Sequence, residues 1–141
     1  MKELKIDDVA KETGLTKRTI RYYEEIGLIS PPQRTVGGVR LYSGEDVERI
    51  KKLLIAREVL GFSLQELQQF VKLSDIIEEH KSKFCTSSDR EQRKADLEQI
   101  DCGLREEIAM IELKLRRMEA FKQELQQLRE CVRDILKQEA D

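Results

Sequence analysis

The sequence predicts a mainly α fold: a winged helix-turn-helix unit followed by one long helix suited to a coiled coil. Three observations carry this expectation. Two short helical patterns meet at Thr13-Gly14, two β-prone runs then flank Gly37-Gly38, and from Leu97 onward apolar residues recur every three or four positions. Composition agrees. Of 141 residues, 39% are hydrophobic and 38% charged, with 5% aromatic and no Trp. Such a chain is poorly suited to one thick core and well suited to long helices with a narrow apolar seam and wide solvated faces. Two Pro and seven Gly leave little room for disorder or an all-β fold.

In the N-terminal part, Ile6, Val9 and Ala10 recur at helical spacing, and Thr13-Gly14-Leu15 makes a tight turn. Thr16 is placed to cap a second helix, Lys17 to Ile26, closed by Gly27. A short helix, a glycine turn and a second short helix form the helix-turn-helix pattern. Ile20 and Tyr23, three apart, are expected to face inward, which turns Lys17, Arg18, Arg21 and Tyr22 outward near the helix N-terminus. A recognition helix presents side chains to the major groove from that position. Arg can bond guanine in bidentate fashion, and Tyr or Lys can hold phosphate oxygens. The pattern alone leaves open an ordinary helical hairpin with a solvated basic face. The runs from Ile29 to Arg34 and from Val39 to Tyr42, separated by Thr35-Val36-Gly37-Gly38, read as a β-hairpin. After a helix-turn-helix such a hairpin is a wing, with Arg34 and Arg40 beside its tip and able to reach phosphates; equally, it buries Leu41 and Ile29 against the helices. Net charge is −2, yet from Lys11 to Arg57 ten basic residues face six acids, a local +4.

The remaining joints are marked by capping boxes. Ser43-Gly44-Glu45-Asp46 and Ser63-Leu64-Gln65-Glu66 each place a hydroxyl three residues before an acid, and Ser88-Asp89-Arg90-Glu91 is a third such box, read as the start of the long helix. The expected organisation is a winged helix-turn-helix unit over residues 1–73, whose last part, from about 44, reads as amphipathic helices. A loose connector follows over 74–87, with a turn of helix around Ile76-Ile77, and then a coiled-coil helix over 88–138. The seam runs through Leu97, Ile100, Leu104, Ile108, Ile111, Leu115, Met118, Phe121, Leu125, Leu128, Val132 and Ile135. Repeated steps of four at 100–104–108 and of three at 115–118–121 imply local departures from heptad register. A helix from Glu91 to Lys137 is about 70 Å long. Nothing else in the chain is large enough to cover it, so a homodimer is expected. Gly103 costs about 1 kcal/mol there relative to Ala; it either permits close approach beside Cys102 or marks a bend.

The runs Ile20-Arg21-Tyr22-Tyr23-Glu24-Glu25-Ile26-Gly27-Leu28-Ile29, Pro32-x-Arg34, Gly38-x-Arg40-x-Tyr42-Ser43 and Leu60-Gly61-Phe62-Ser63-Leu64-x-Glu66 resemble the MerR family of bacterial transcription regulators, in order and without gaps from about Lys5 to Leu67. The resemblance implies that Thr16, Lys17, Arg18, Thr19, Arg21, Tyr22 and Tyr23 lie on the recognition helix. It implies that Val39 and Arg40 form the first wing's contacts, and that Arg57, Phe62 and Ser63 belong to a two-helix second wing over about 44–73; Arg34 and Tyr42 of the hairpin complete the DNA-binding candidates. Val39 stands where this family often has Tyr, which leaves the wing contact to Arg40. The resemblance further implies an antiparallel two-helix coil and a short member of the family without a C-terminal effector domain. Its expected action is binding of double-stranded DNA in an over-long promoter spacer. Bending or untwisting that spacer realigns the promoter elements and so reaches RNA polymerase indirectly. An architectural or chromosome-segregation DNA-binding protein, with a coil that recruits another protein, is the alternative.

Other classes are less well supported. No nucleophile–base pairing, Gly-rich phosphate loop or HExxH motif is present, and Glu24-Glu25 and Glu78-Glu79 read as solvated charge, so no enzyme and no cofactor is expected. The three cysteines, Cys85, Cys102 and Cys131, are odd in number and widely spaced, so neither a disulfide framework nor a metal knuckle is expected. Cys85 is the one candidate for an otherwise unknown effector, because metal-sensing relatives carry a cysteine near the start of the long helix. His80 reads as a solvated side chain. The longest aliphatic run, Leu53-Leu54-Ile55-Ala56, is far short of the roughly 20 residues of a membrane span. The N-terminus shows no apolar leader segment, and a cytoplasmic location is expected.

Overall fold

The structure is a computed structural model and describes residues 3–140. The order of elements is α1 (Ile6–Thr13), α2 (Lys17–Glu25), β1 (Gln33–Arg34), β2 (Arg40–Leu41), α3 (Gly44–Glu58), α4 (Leu64–Thr86) and α5 (Arg90–Ala140). The chain divides into two compact units, Met1–Ile76 and Ile77–Asp141.

In the first unit, α1 packs on α2 and on α3. Its core is Val9, Ile20, Tyr23, Leu28, Ile29, Tyr42, Val47, Ile50, Leu53, Ala56, Phe62, Leu67, Val71 and Leu73. The short helices begin and end where local chemistry dictates. Gly14, in the left-handed region at φ 75°, closes α1 by donating its N–H to the Ala10 carbonyl. The Thr16 hydroxyl accepts from the Thr19 N–H (3.1 Å) and starts α2. Both capping boxes of the second wing form. Asp46 N–H donates to Ser43 Oγ (3.2 Å) while Ser43 N–H donates to Asp46 Oδ2 (2.9 Å). Glu66 N–H donates to Ser63 Oγ (3.2 Å) while Ser63 N–H donates to Glu66 Oε1 (3.0 Å). Arg49 on α3 pairs with Asp75 on α4 at 2.7 Å.

The wing is shorter than the β-prone runs suggest, with only two residues on each strand. Gln33 pairs with Leu41 and Arg34 with Arg40, antiparallel. Gly38, at φ 82°, closes the turn by donating to the Thr35 carbonyl (2.9 Å), and Thr35 N–H donates to the Val39 carbonyl (2.9 Å). Leu4 adds an isolated antiparallel bridge to Tyr42, which ties the N-terminal segment to the end of the wing. Ile29 is buried, whereas Leu41 is only half-buried.

The second unit corrects three expectations. Residues 74–86 are not a loose connector, because α4 continues through them to Thr86. The start of α5 is set by Asp89 rather than Ser88: Asp89 Oδ1 accepts from the Glu91 N–H (3.1 Å), and Ser87 Oγ from the Asp89 N–H (3.2 Å). His80 is not a solvated side chain. It lies 2.9 Å, through Nδ1, from Oδ1 of Asp96, a carboxylate buried to 1% exposure that also accepts from Gln92 Nε2 at 3.3 Å. Arg93 closes the joint, donating to the carbonyls of Phe84 (3.0 Å) and Ser87 (3.1 Å) with its guanidinium 4.0 Å from the Phe84 ring centroid. α5 then runs for 51 residues without a break, about 77 Å. Gly103 is buried within it and does not interrupt it. The seam is uncovered within this chain: Leu104 is 44% exposed and Phe121 and Leu128 are each 62% exposed, with the other exposed seam residues between those values.

The hydrogen bond from His80, opposed by burial and assisted by Gln92 and the nearby Lys83, holds the Asp96 carboxyl below its ordinary value. A carboxyl depressed in the folded state adds stability in full above its unfolded pKa of about 3.9 and loses it as pH falls through the lowered folded value. Asp96→Ala is therefore expected to melt at lower temperature than wild type at pH 7, by circular dichroism. The gap should narrow as pH drops below about 3.9, the ordinary carboxylate value; a gap independent of pH excludes the ionised Asp96 carboxylate as its source.

Candidate nucleic-acid interface

Helix α2 has two faces, set by the three-residue spacing of its apolar positions. Ile20 (0% exposed) and Tyr23 (5%) point into the core, so Lys17, Arg18, Arg21 and Tyr22 are exposed. Thr16 is exposed as the cap and Thr19 half-buried, their hydroxyls 2.9 Å apart. The first turn of α2 contains no acid and begins with Lys17 and Arg18. Cations at a helix N-terminus oppose the macrodipole at a cost of a few tenths of a kcal/mol. The neighbouring helix offsets part of this cost, since Asp7 of α1 pairs with Lys17. The Lys17 ammonium keeps the Asp7 carboxyl below its ordinary value.

The wing is held against α2 through Glu24. Arg40 Nε donates to Glu24 Oε2 (3.0 Å), and Arg34 Nη2 lies 3.8 Å from Glu24 Oε1. A cleft of about 280 Å³ opens between the start of α1, α2 and the wing, lined by Lys5, Ile6, Asp7, Arg21, Gly38, Val39 and Arg40. It brings the recognition-helix arginine and the wing arginine, 19 positions apart in sequence, to one surface. Val39 is exposed, and Val36 stands fully exposed at the tip of the turn. On the second wing, Ser63 is exposed as the α4 cap. Arg57 is partly exposed, donating through Nη1 to the Tyr23 hydroxyl and pairing with Glu58 at 3.3 Å.

Three residues of the expected DNA-binding set point the other way, Tyr23 as its three-residue spacing from Ile20 requires and the other two against expectation. Tyr23 is buried, and its hydroxyl serves as acceptor for Arg57. Tyr42 is 1% exposed and sits at the bridge to Leu4, with no hydrogen-bond partner for its hydroxyl among the described residues. Burial, followed by the nearby Glu24 charge, raises its phenol above the ordinary value. Phe62 is 4% exposed and packs against Phe70, centroids 5.9 Å apart. These rings build the core that presents the surface and do not form the surface itself. Conversely, Lys5 and Glu24 belong to the site and sequence reading assigned them no role. Glu24, read as solvated charge, is the acceptor for the wing arginine; only knowledge that the wing folds back on α2 reveals it.

All three cysteines are exposed thiols, Cys85 on the last turn of α4 and Cys102 and Cys131 on α5. Among the described residues, no group of three or more His, Cys, Asp or Glu is gathered as a metal site. No described helix is long and apolar enough to cross a membrane.

A helix-turn-helix with a basic outer edge, flanked by a hairpin wing and a two-helix wing, defines a winged DNA-binding unit. Comparison with known proteins narrows the class. Residues 4–73 match the MerR HTH family regulatory protein domain. The chain is 52% identical over 126 residues to the HTH-type transcriptional regulator YfmP of Bacillus subtilis (strain 168), covering 89% of this chain and 90% of that one. It is 43% identical over 77 residues to the HTH-type transcriptional regulator CueR of Escherichia coli O157:H7, covering 55% of this chain and 56% of that one. A crystal structure of a MerR-family transcriptional regulator from Bacillus cereus is similar, at 26% identity and TM-score 0.50, over 92% of this chain and 79% of that one. The chain belongs to the MerR family of transcription regulators. Its relatives are regulators, not enzymes.

The two adjacent tyrosines of α2 separate stability from binding. Tyr23→Ala empties a core position and is expected to cost about 3–5 kcal/mol, whereas Tyr22→Ala, with its exposed ring, should change stability by no more than about 0.5 kcal/mol. Denaturant titration of both variants checks this. Equal losses would mean that the inward and outward faces of α2 are wrongly assigned.

Proposed function

We propose that the protein is a homodimeric regulator that binds double-stranded promoter DNA in the cytoplasm and distorts the spacer between promoter elements, so reaching RNA polymerase indirectly. The observation that carries the DNA reading is the cleft where Arg21 of α2 and Arg40 of the wing share one surface with Lys5. An α-helix with an exposed basic edge fits the major groove, and a wing arginine beside it fits the flanking phosphates. In this reading Arg18 and Arg21 read bases, while Arg34, Arg40, Arg57 and Tyr22 hold the backbone. Two such units on a paired helix would read a two-fold site, with the sequence-dependent cost of deforming the spacer adding to specificity.

The dimer reading rests on α5. A 51-residue helix whose apolar stripe from Leu97 to Ile135 is largely exposed needs a partner helix to remove that stripe from water. A second copy carries the same stripe.

Footprinting on the DNA upstream of the protein's own gene tests the whole proposal. Protection across a promoter spacer supports it, scattered protection at unrelated sites favours the architectural alternative, and absence of binding refutes both. Two sets of variants test its parts. Ile108→Glu and Leu115→Glu are each expected to lose the dimer and DNA affinity together in sedimentation and gel-shift assays; a wild-type protein that sediments as a stable monomer at micromolar concentration contradicts the dimer. Arg40→Ala should weaken binding to all sequences alike and lower the salt slope by about one phosphate contact. Arg21→Ala should cost about 1–3 kcal/mol and relax preference at one base pair per half-site.

A further inference from the structure

We propose that Glu24 is a positioning residue for DNA binding: an acid at a nucleic-acid interface that raises affinity by holding the guanidinium of Arg40 in place. The proposal rests on the DNA-binding reading of the wing given above. Three rules of physical chemistry disfavour an acid at this position unless it has such a task. A carboxylate close to phosphates repels them. Glu24 and Glu25 end α2, the negative end of the helix dipole, with no basic residue in that last turn. Finally, the Glu24 side chain is only 12% exposed, so it has largely given up water.

The wing explains what the acid is for. Arg34 and Arg40 are directly opposite one another across the two-residue strands, and like charges in that position repel. Glu24 faces both, 3.0 Å from Arg40 Nε and 3.8 Å from Arg34 Nη2. One carboxylate between two guanidiniums leaves a net charge of +1 and lets a very short hairpin carry both arginines. The choice of atom matters more than the sum. Glu24 engages the Nε–H of Arg40, and among the described residues no acceptor meets Nη1 or Nη2. Arg40 is 27% exposed and lines the cleft with Arg21 and Lys5. With Nε fixed, the two terminal nitrogens are left to bond a phosphate oxygen pair, in the bidentate geometry for which a preorganised guanidinium is suited.

The consequence runs against simple electrostatics, which makes it testable. Removing a negative charge from a DNA-binding surface should tighten binding. Here Glu24→Ala should weaken it about tenfold, the loss of one charge-assisted hydrogen bond's worth of positioning, and Glu24→Gln, which keeps an acceptor oxygen, should bind within a few-fold of wild type. Glu24→Met keeps the side-chain volume and should behave as Glu24→Ala, so the result does not hang on one variant's folding. Fluorescence anisotropy on the protein's own upstream DNA over a salt series reads the effect. The slope of log affinity against log salt should fall by about one contact in Glu24→Ala and Glu24→Met. A merely unstable variant would instead scale the active fraction at unchanged slope. In an Arg40→Ala background, Glu24→Ala should add no further loss. Glu24→Ala and Glu24→Met binding as tightly as wild type or tighter, or Glu24→Gln failing as badly as Glu24→Ala, would overturn the proposal while leaving the DNA-binding reading intact. Wild-type protein without affinity for DNA would overturn that reading and this one with it.

Discussion

The burial of Ile20 and Tyr23 is the constraint from which the rest of the first unit follows. A nine-residue helix and a hairpin with two residues per strand are both too short to persist in water by themselves. They exist because the inner face of α2 is taken up in the core with Val9, Ile50 and Leu28, all fully buried. Once residues 20 and 23 point inward, the 3.6-residue period leaves 17, 18, 21 and 22 no other direction than outward. Tyr23 also reaches beyond its own helix, accepting from Arg57 at the end of α3, so one side chain both seats the recognition helix and links it to the second wing.

Electrostatics on this unit are arranged for presentation rather than for helix stability. Lys17 and Arg18 stand at the wrong end of α2 for the dipole, and Glu24 and Glu25 at the other wrong end. Two of the four have a neighbour that answers them: Asp7 for Lys17, and Arg40 with Arg34 for Glu24. Local rules broken and compensated at one surface are what a binding site is expected to look like. Of the three basic residues on α2, Arg18 and Arg21 form no ion pair with a carboxylate among the described residues, and the proposed function gives them the bases.

The second unit solves a different problem. Its long helix carries an apolar stripe that a single copy leaves in water, and its root is fixed by a buried ionic group. Asp96 has almost no exposed surface, and a carboxylate in that position is tolerable only because His80 and Gln92 hold it. Together with Arg93 on the carbonyls that end α4, this gives the turn between the two helices a defined geometry from polar contacts rather than apolar packing.

What the sequence by itself determined about this protein is what depends on neighbours along the chain. The caps at Thr16, Ser43 and Ser63, the glycine turn at Gly14, the inward pair on α2 and the apolar stripe of α5 arise from interactions within about four residues or from a simple period, so they can be read off one line of text. Tertiary structure decided the rest. Glu24 with Arg40, and His80 with Asp96, are each sixteen residues apart. No periodicity links the members of either pair; they meet because the chain reverses between them. For the same reason Tyr42 and Phe62 looked like surface aromatics in their motifs and are core. Whether a ring lies on the surface or beneath it depends on what packs over it, and that is supplied from elsewhere in the chain.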